Sequence, residues 1–116
     1  MSFEDVLRPV LDAPGAQAVA FLDPQGQSVA GLGDHDLLET LGAYQSVWAQ
    51  ELSRAAEGGG LGGVLEFDFD FEGGRVLSAP VRDGYFILVL FRRDGMPSVV
   101  RPALSAARER LAAEIG

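Results

Sequence analysis

Residues 64–71, Val-Leu-Glu-Phe-Asp-Phe-Asp-Phe, constrain the fold of this chain more than any other stretch. Leu65, Phe67, Phe69 and Phe71 alternate strictly with Val64, Glu66, Asp68 and Asp70. A period of two sends the two sets to opposite sides of a strand, one face apolar and one polar. Such a strand belongs in an antiparallel sheet that is covered on its apolar side. Gly73-Gly74 follows as a two-residue hairpin turn, which sets Glu72 opposite Arg75 on the returning strand Arg75 to Val81. Pro80 suits an edge or a strand end there. A second turn at Asp83-Gly84 leads into Tyr85 to Phe91, continuously apolar and therefore a central strand buried on both faces.

The remaining elements fall around this meander. Ser2 and Asp5 have capping-box spacing ahead of Phe3, Val6, Leu7, Val10 and Leu11. Pro9 should bend or shorten that helix, and Pro14-Gly15 should end it. Ala16 to Leu22 reads as a buried strand, Asp23-Pro24-Gln25-Gly26 as a type I turn, and Gln27 to Gly31 as the returning strand. Asp36 and Glu39 signal a helix start, with Asp36 as the cap. Leu37, Leu41, Tyr44, Trp48, Leu52 and Ala55 then form an apolar stripe of roughly five turns that stops near the glycines at 58–60. After Asp94-Gly95 and Pro97, Val100, Leu104, Ala107, Leu111 and Ile115 line a last helix, whose proper start is expected at Pro102. The order is helix, two strands, long helix, three strands, helix, with no repeat and no linker. The expectation is a single α+β domain over 1–116, an antiparallel sheet with helices on its faces.

Composition excludes much chemistry. Cysteine is absent, which removes disulfides, thiolate metal sites and thiol nucleophiles. All nine bases are arginine, so no lysine can hold a phosphate or form a Schiff base. Seventeen acids leave a net charge of −8, which disfavours nucleic acid and anionic membrane surfaces as partners. The acidic start lacks the basic and apolar stretches of a secretory signal, and the longest apolar run is too short to span a bilayer. Membrane insertion is therefore not expected, and the expected location is cytoplasmic.

The clusters that could carry chemistry have simpler readings. Gly58-Gly59-Gly60-Leu61-Gly62-Gly63 contains GxGxxG, but a dinucleotide site needs a strand before the glycines and a helix after them. Here the order is reversed, so the run reads as a connection. Asp34-His35-Asp36 holds the only histidine, and three consecutive loop residues rarely converge on one ion. Glu66, Asp68 and Asp70 project in parallel from one strand face, so they do not surround a cation; they would favour a partner bearing arginine. No serine lies in GxSxG. No catalytic, cofactor-binding or metal-binding residue is assigned. Tyr44 and Trp48, one turn apart, read as core packing against the sheet or as a contact surface, since aromatics dominate interface hot spots. Ala43, Val47 and Ala49 widen that apolar arc.

From Phe3-Glu4-Asp5-Val6-Leu7 through Pro14-Gly15 to Ala16–Leu22, Asp23-Pro24-Gln25-Gly26 and Gln27-Ser28-Val29-Ala30, the chain resembles the roadblock family of dynein-type light chains and bacterial GTPase partners. The long helix, the Phe-rich strand, the glycine hairpin and the strand Gly84 to Phe91 follow in that family's order. Longin and profilin-like domains share related layouts. The resemblance implies a five-stranded antiparallel sheet between helices and a homodimer in which the long helices pack together and the third strands pair. It implies a non-enzymatic module that regulates or scaffolds a Ras-like small GTPase, some members by speeding GTP hydrolysis. The alternatives are a structural adaptor of light-chain type and a small-ligand sensor. Carried over by position, the dimer surface includes Leu41, Tyr44, Gln45, Trp48 and Leu52 with the strand bearing Glu66, Asp68 and Asp70. Those acids would approach their own copies, so an offset register or nearby arginines must relieve them.

Overall fold

A computed structural model describes residues 2–115; Met1 and Gly116, the ends of the expected 1–116 domain, lie outside the described residues. The order is α1 (Phe3–Leu11), β1 (Ala16–Leu22), β2 (Ser28–Gly33), α2 (Asp36–Gly58), β3 (Phe67–Phe71), β4 (Gly74–Arg82), β5 (Tyr85–Phe91) and α3 (Pro97–Ile115). The five strands form one antiparallel sheet in the order β2-β1-β5-β4-β3, so the fold is α+β and β5 is its centre, as its unbroken apolar run requires.

Alternation along the strands divides the core between two faces. Val19, Phe21, Leu77, Ile87, Val89 and Phe91 meet Val6, Leu7 and Val10 of α1 and Val100, Leu104, Ala107 and Leu111 of α3. On the other face Ala18, Ala20, Leu22, Val76, Phe86 and Leu88 meet Leu38 of α2, with Leu41 and Phe69 at the margin. Each such large side chain removed from water contributes about 1.5–3 kcal/mol.

The helix ends follow local chemistry. Ser2 accepts from the Asp5 N–H and the Asp5 carboxylate accepts from the Ser2 N–H, a complete capping box. Pro9 lies within α1, which ends two residues later at Leu11. The last helix starts at Pro97, not Pro102. Proline suits a first helical position, and Pro102 leaves unbonded only the carbonyl of the exposed Ser98. His35, not Asp36, caps α2, without a side-chain bond; Asp36 and Glu39 lie in the first turn, where acids favour the positive helix end.

Two boundaries in the meander move, while the Asp83-Gly84 turn stays where it was expected. Asp83 (φ 52°) and Gly84 (φ 87°) both take positive φ, the type I′ geometry that Asp-Gly favours. The preceding hairpin turns instead on Glu72-Gly73, with Phe71 paired to Gly74, so Arg75 faces Asp70 and not Glu72. Finally, β3 begins at Phe67 rather than Val64, because its ladder with β4 stops at Phe67–Ser78. Two steps further on, Leu65 would face Pro80, which has no N–H to offer. The connection from α2 is correspondingly longer than the glycine run.

Candidate protein-interaction site

The long helix α2 carries more apolar surface than the sheet can cover. Its buried residues are Leu38, Gly42 and Gln45, spaced i, i+4, i+7. Gly42 brings the backbone close to the sheet: a Cβ there would lie 2.4 Å from the Leu22 Cδ1. The larger apolar residues therefore lie on the neighbouring arc. Leu37, Tyr44, Val47, Trp48 and Leu52 are 53, 71, 73, 37 and 47% exposed. The expected stripe thus does not form the core contact. Only Leu41 bridges the two arcs, half-buried.

Beside this arc runs β3, one of the two edge strands of the sheet. Its phenylalanines turn toward α2, where the Trp48 ring meets Phe67 and Phe69 edge-on at 5.2 and 5.7 Å. Phe67 and Phe69 are stacked at 6.0 Å, and Phe69 and Phe71 at 6.3 Å. Phe71 is itself 47% exposed. A cleft of about 160 Å³ opens between the two elements, lined by Leu41, Tyr44, Trp48, Phe69, Phe71 and Val76. Exposed apolar residues massed in a row, next to unpaired strand backbone, mark an interaction surface.

Asp68 and Asp70 take the opposite face of β3, Glu66 lies just before the strand, and the three acids meet arginines from three separate parts of the chain. Arg101 of α3 grips Glu66 through two nitrogens, at 2.9 and 2.7 Å, and approaches Asp68 at 3.8 Å. Arg75 of β4 donates to both Asp68 oxygens, at 2.9 and 3.3 Å. Arg93, after β5, bonds Asp70 and donates to the Phe71 carbonyl at 2.8 Å. The hydrogen bonds from Arg101 to Glu66 hold that guanidinium even more firmly protonated than usual. The acid row is matched from within the chain, so it does not present unmet charge to an arginine-bearing partner.

Solved structures share this fold. The Roadblock/LC7 domain from Streptomyces avermitilis superposes with a TM-score of 0.81 over 93% of this chain and 92% of its own, at 16% identity. The chain has the roadblock fold. MglB of Myxococcus xanthus matches with a TM-score of 0.83 over 98% of this chain and 90% of its own at 14% identity. The gliding protein MglB of Thermus thermophilus matches at 0.82 over 96% and 86%, at 19% identity. No protein-family model and no curated protein matches the sequence.

Within this roadblock fold Tyr44, Trp48 and Leu52 are exposed on α2 together with Leu37 and Val47, and Leu41 is partly buried beside them. Gln45 does not join them. It is 5% exposed, and its Nε2 donates to the Ser78 hydroxyl at 2.5 Å. The position points inward because it follows Leu38 by seven residues, a spacing that its polarity conceals. Asp68 and Asp70 sit on the far side of β3 from the α2 arc, and Glu66 lies just before the strand. The arginines that meet them carried no local signal: Arg101 is 35 residues from Glu66. Among the described residues no group of three His, Cys, Asp or Glu could hold a metal ion, and no helix is long and apolar enough to cross a membrane. His35 instead approaches the Gly33 carbonyl through Nδ1 at 3.0 Å and Glu39 at 3.5 Å.

Proposed function

We propose that this chain is a non-enzymatic homodimeric interaction module that regulates or scaffolds a Ras-like small GTPase. The observation that carries the dimer is the row of exposed apolar residues on α2, Leu37, Tyr44, Val47, Trp48 and Leu52, lying along β3, an edge strand paired on one side only. A two-fold copy would cover both at once, with helix on helix and strand on strand. The interface then contains Leu41, Tyr44, Trp48 and Leu52 together with Glu66, Asp68 and Asp70. Gln45 supports it from beneath.

The GTPase partner rests on the resemblance to roadblock-type GTPase regulators. The module acts by contact, so its effect on a GTPase requires no catalytic side chain of its own beyond a surface that reshapes the partner's switch segments. Sedimentation equilibrium tests the dimer. The partner is tested by titrating Ras-like GTPases of the same genome, loaded with GTP analogue or GDP, and by measuring single-turnover GTP hydrolysis. Binding that depends on the nucleotide supports the regulator; a dimer indifferent to every such GTPase leaves the light-chain-type adaptor in its place.

A further inference from the structure

The edge strand β3 restricts how a second copy can add to it. A two-fold copy that extends the sheet runs antiparallel to β3 and keeps both α2 helices on one side. Directly opposed residues of an antiparallel pair point to the same face. The phenylalanine rows of the two copies are continuous only if odd-numbered residues oppose odd and even oppose even. A one-residue slip would turn acids into the apolar cleft. Every such register with its axis within β3 therefore opposes acid to acid: with Phe69 on the axis, Asp68 faces Asp70 of the second copy, and a shift by one pair brings Asp68 against itself. An offset register cannot separate these charges. Only countercharges can.

We propose that Arg75, Arg93 and Arg101 are the residues that allow this edge to accept a second copy of the chain. Each neutralises one step of the acid row from within the same protomer: Arg101 on Glu66, Arg75 on Asp68, Arg93 on Asp70. The three come from β4, the segment after β5, and α3, so the countercharge is assembled by folding. An unfolded or partly folded chain, lacking these pairs, presents a repelling acidic edge. This inference rests on the homodimer reading and names what that interface requires.

The test measures the dimer dissociation constant of the full chain by sedimentation equilibrium, for wild type, Arg93→Gln, Arg101→Gln and the double variant Arg93→Gln/Asp70→Asn. The measurements run between about 0.1 M and about 1 M salt, where the Debye length falls from about 10 Å to about 3 Å. Each single arginine variant exposes like charges twice, once on each side of the axis, and should dimerise about tenfold more weakly at the lower salt. The loss should shrink toward wild type at the higher salt, and Asp70→Asn should restore Arg93→Gln without added salt. Helix and strand content by circular dichroism confirms that the variants fold. A merely structural role for the arginines predicts neither salt recovery nor rescue. A wild-type dimer whose affinity ignores both arginines overturns this inference alone. A wild-type chain that stays monomeric removes the homodimer and the inference together.

Discussion

The Nε2 of Gln45 donates to the hydroxyl of Ser78 across 2.5 Å, and both residues are buried between α2 and β4. This bond fixes the roll of α2 on the sheet. With Gln45 held inward, Tyr44 and Trp48 are held at the outer side of the helix. Removing one partner leaves the other polar group buried and unmet, at about 1–3 kcal/mol. Gln45→Ala and Ser78→Ala should each lower stability by that order in urea denaturation. Gln45→Leu/Ser78→Ala should lose less than Gln45→Ala alone, because nothing polar is then stranded. A double variant worse than both single variants together contradicts this reading.

Tyr44 and Trp48 should separate dimerisation from folding. Tyr44 is 71% exposed, so Tyr44→Arg should abolish the dimer while the monomer's stability stays within about 0.5 kcal/mol of wild type. Trp48 additionally packs edge-on against Phe67 and Phe69, contacts worth about 0.5–1.5 kcal/mol each. Trp48→Arg should therefore weaken both association and the monomer. Light scattering paired with thermal melts distinguishes the two outcomes, and equal melting temperatures for wild type and Trp48→Arg would refute the second.

Gly26 closes the turn between β1 and β2 directly under α2. Its φ is +85°, its N–H donates to the Asp23 carbonyl at 2.9 Å, and a Cβ would lie 2.7 Å from the Gly42 carbonyl oxygen. Backbone strain and backbone collision act together, so Gly26→Ala should cost about 1–3 kcal/mol. The expected readout is an earlier denaturation midpoint with an unchanged slope.

The capping box of α1 should make stability depend on pH in acid. The Asp5 carboxyl is held below its usual value of 3.8, mainly by accepting the Ser2 N–H and then by its bond with the Ser2 hydroxyl. A depressed folded-state pKa means that the contribution is complete above the unfolded value and fades as pH falls through the lower folded value. Wild type and Asp5→Ala should thus differ in melting temperature at neutral pH and converge below the ordinary carboxylate range. A difference that persists unchanged into strong acid counts against the cap.

Most of the fold was legible because strands and helices write their periods locally. The alternation at 64–71, the apolar run at 85–91 and the Asp83-Gly84 turn place the meander, and the order of elements follows. Boundaries were less legible where a neighbour decided them. Val64 alternates correctly but is not in the strand, since the ladder with β4 stops at Phe67–Ser78 and Pro80 beyond it has no N–H. Arg75 was expected opposite Glu72, and a one-residue shift of the two-residue turn moved it to Asp70.

The amino-acid sequence by itself determined that α2 carries an apolar arc too wide for one contact, and that β3 has one phenylalanine face and one acid face. Those are properties of spacing, and spacing survives in any environment. Only the tertiary structure decided which part of the arc is covered. Gly42 and the Gln45–Ser78 bond draw the narrow side onto the sheet and leave Leu37, Tyr44, Val47, Trp48 and Leu52 outside. Only the tertiary structure, likewise, brought Arg75, Arg93 and Arg101 to the acids, because charge pairing depends on distance in space and the arginines lie 7, 23 and 35 residues away along the chain.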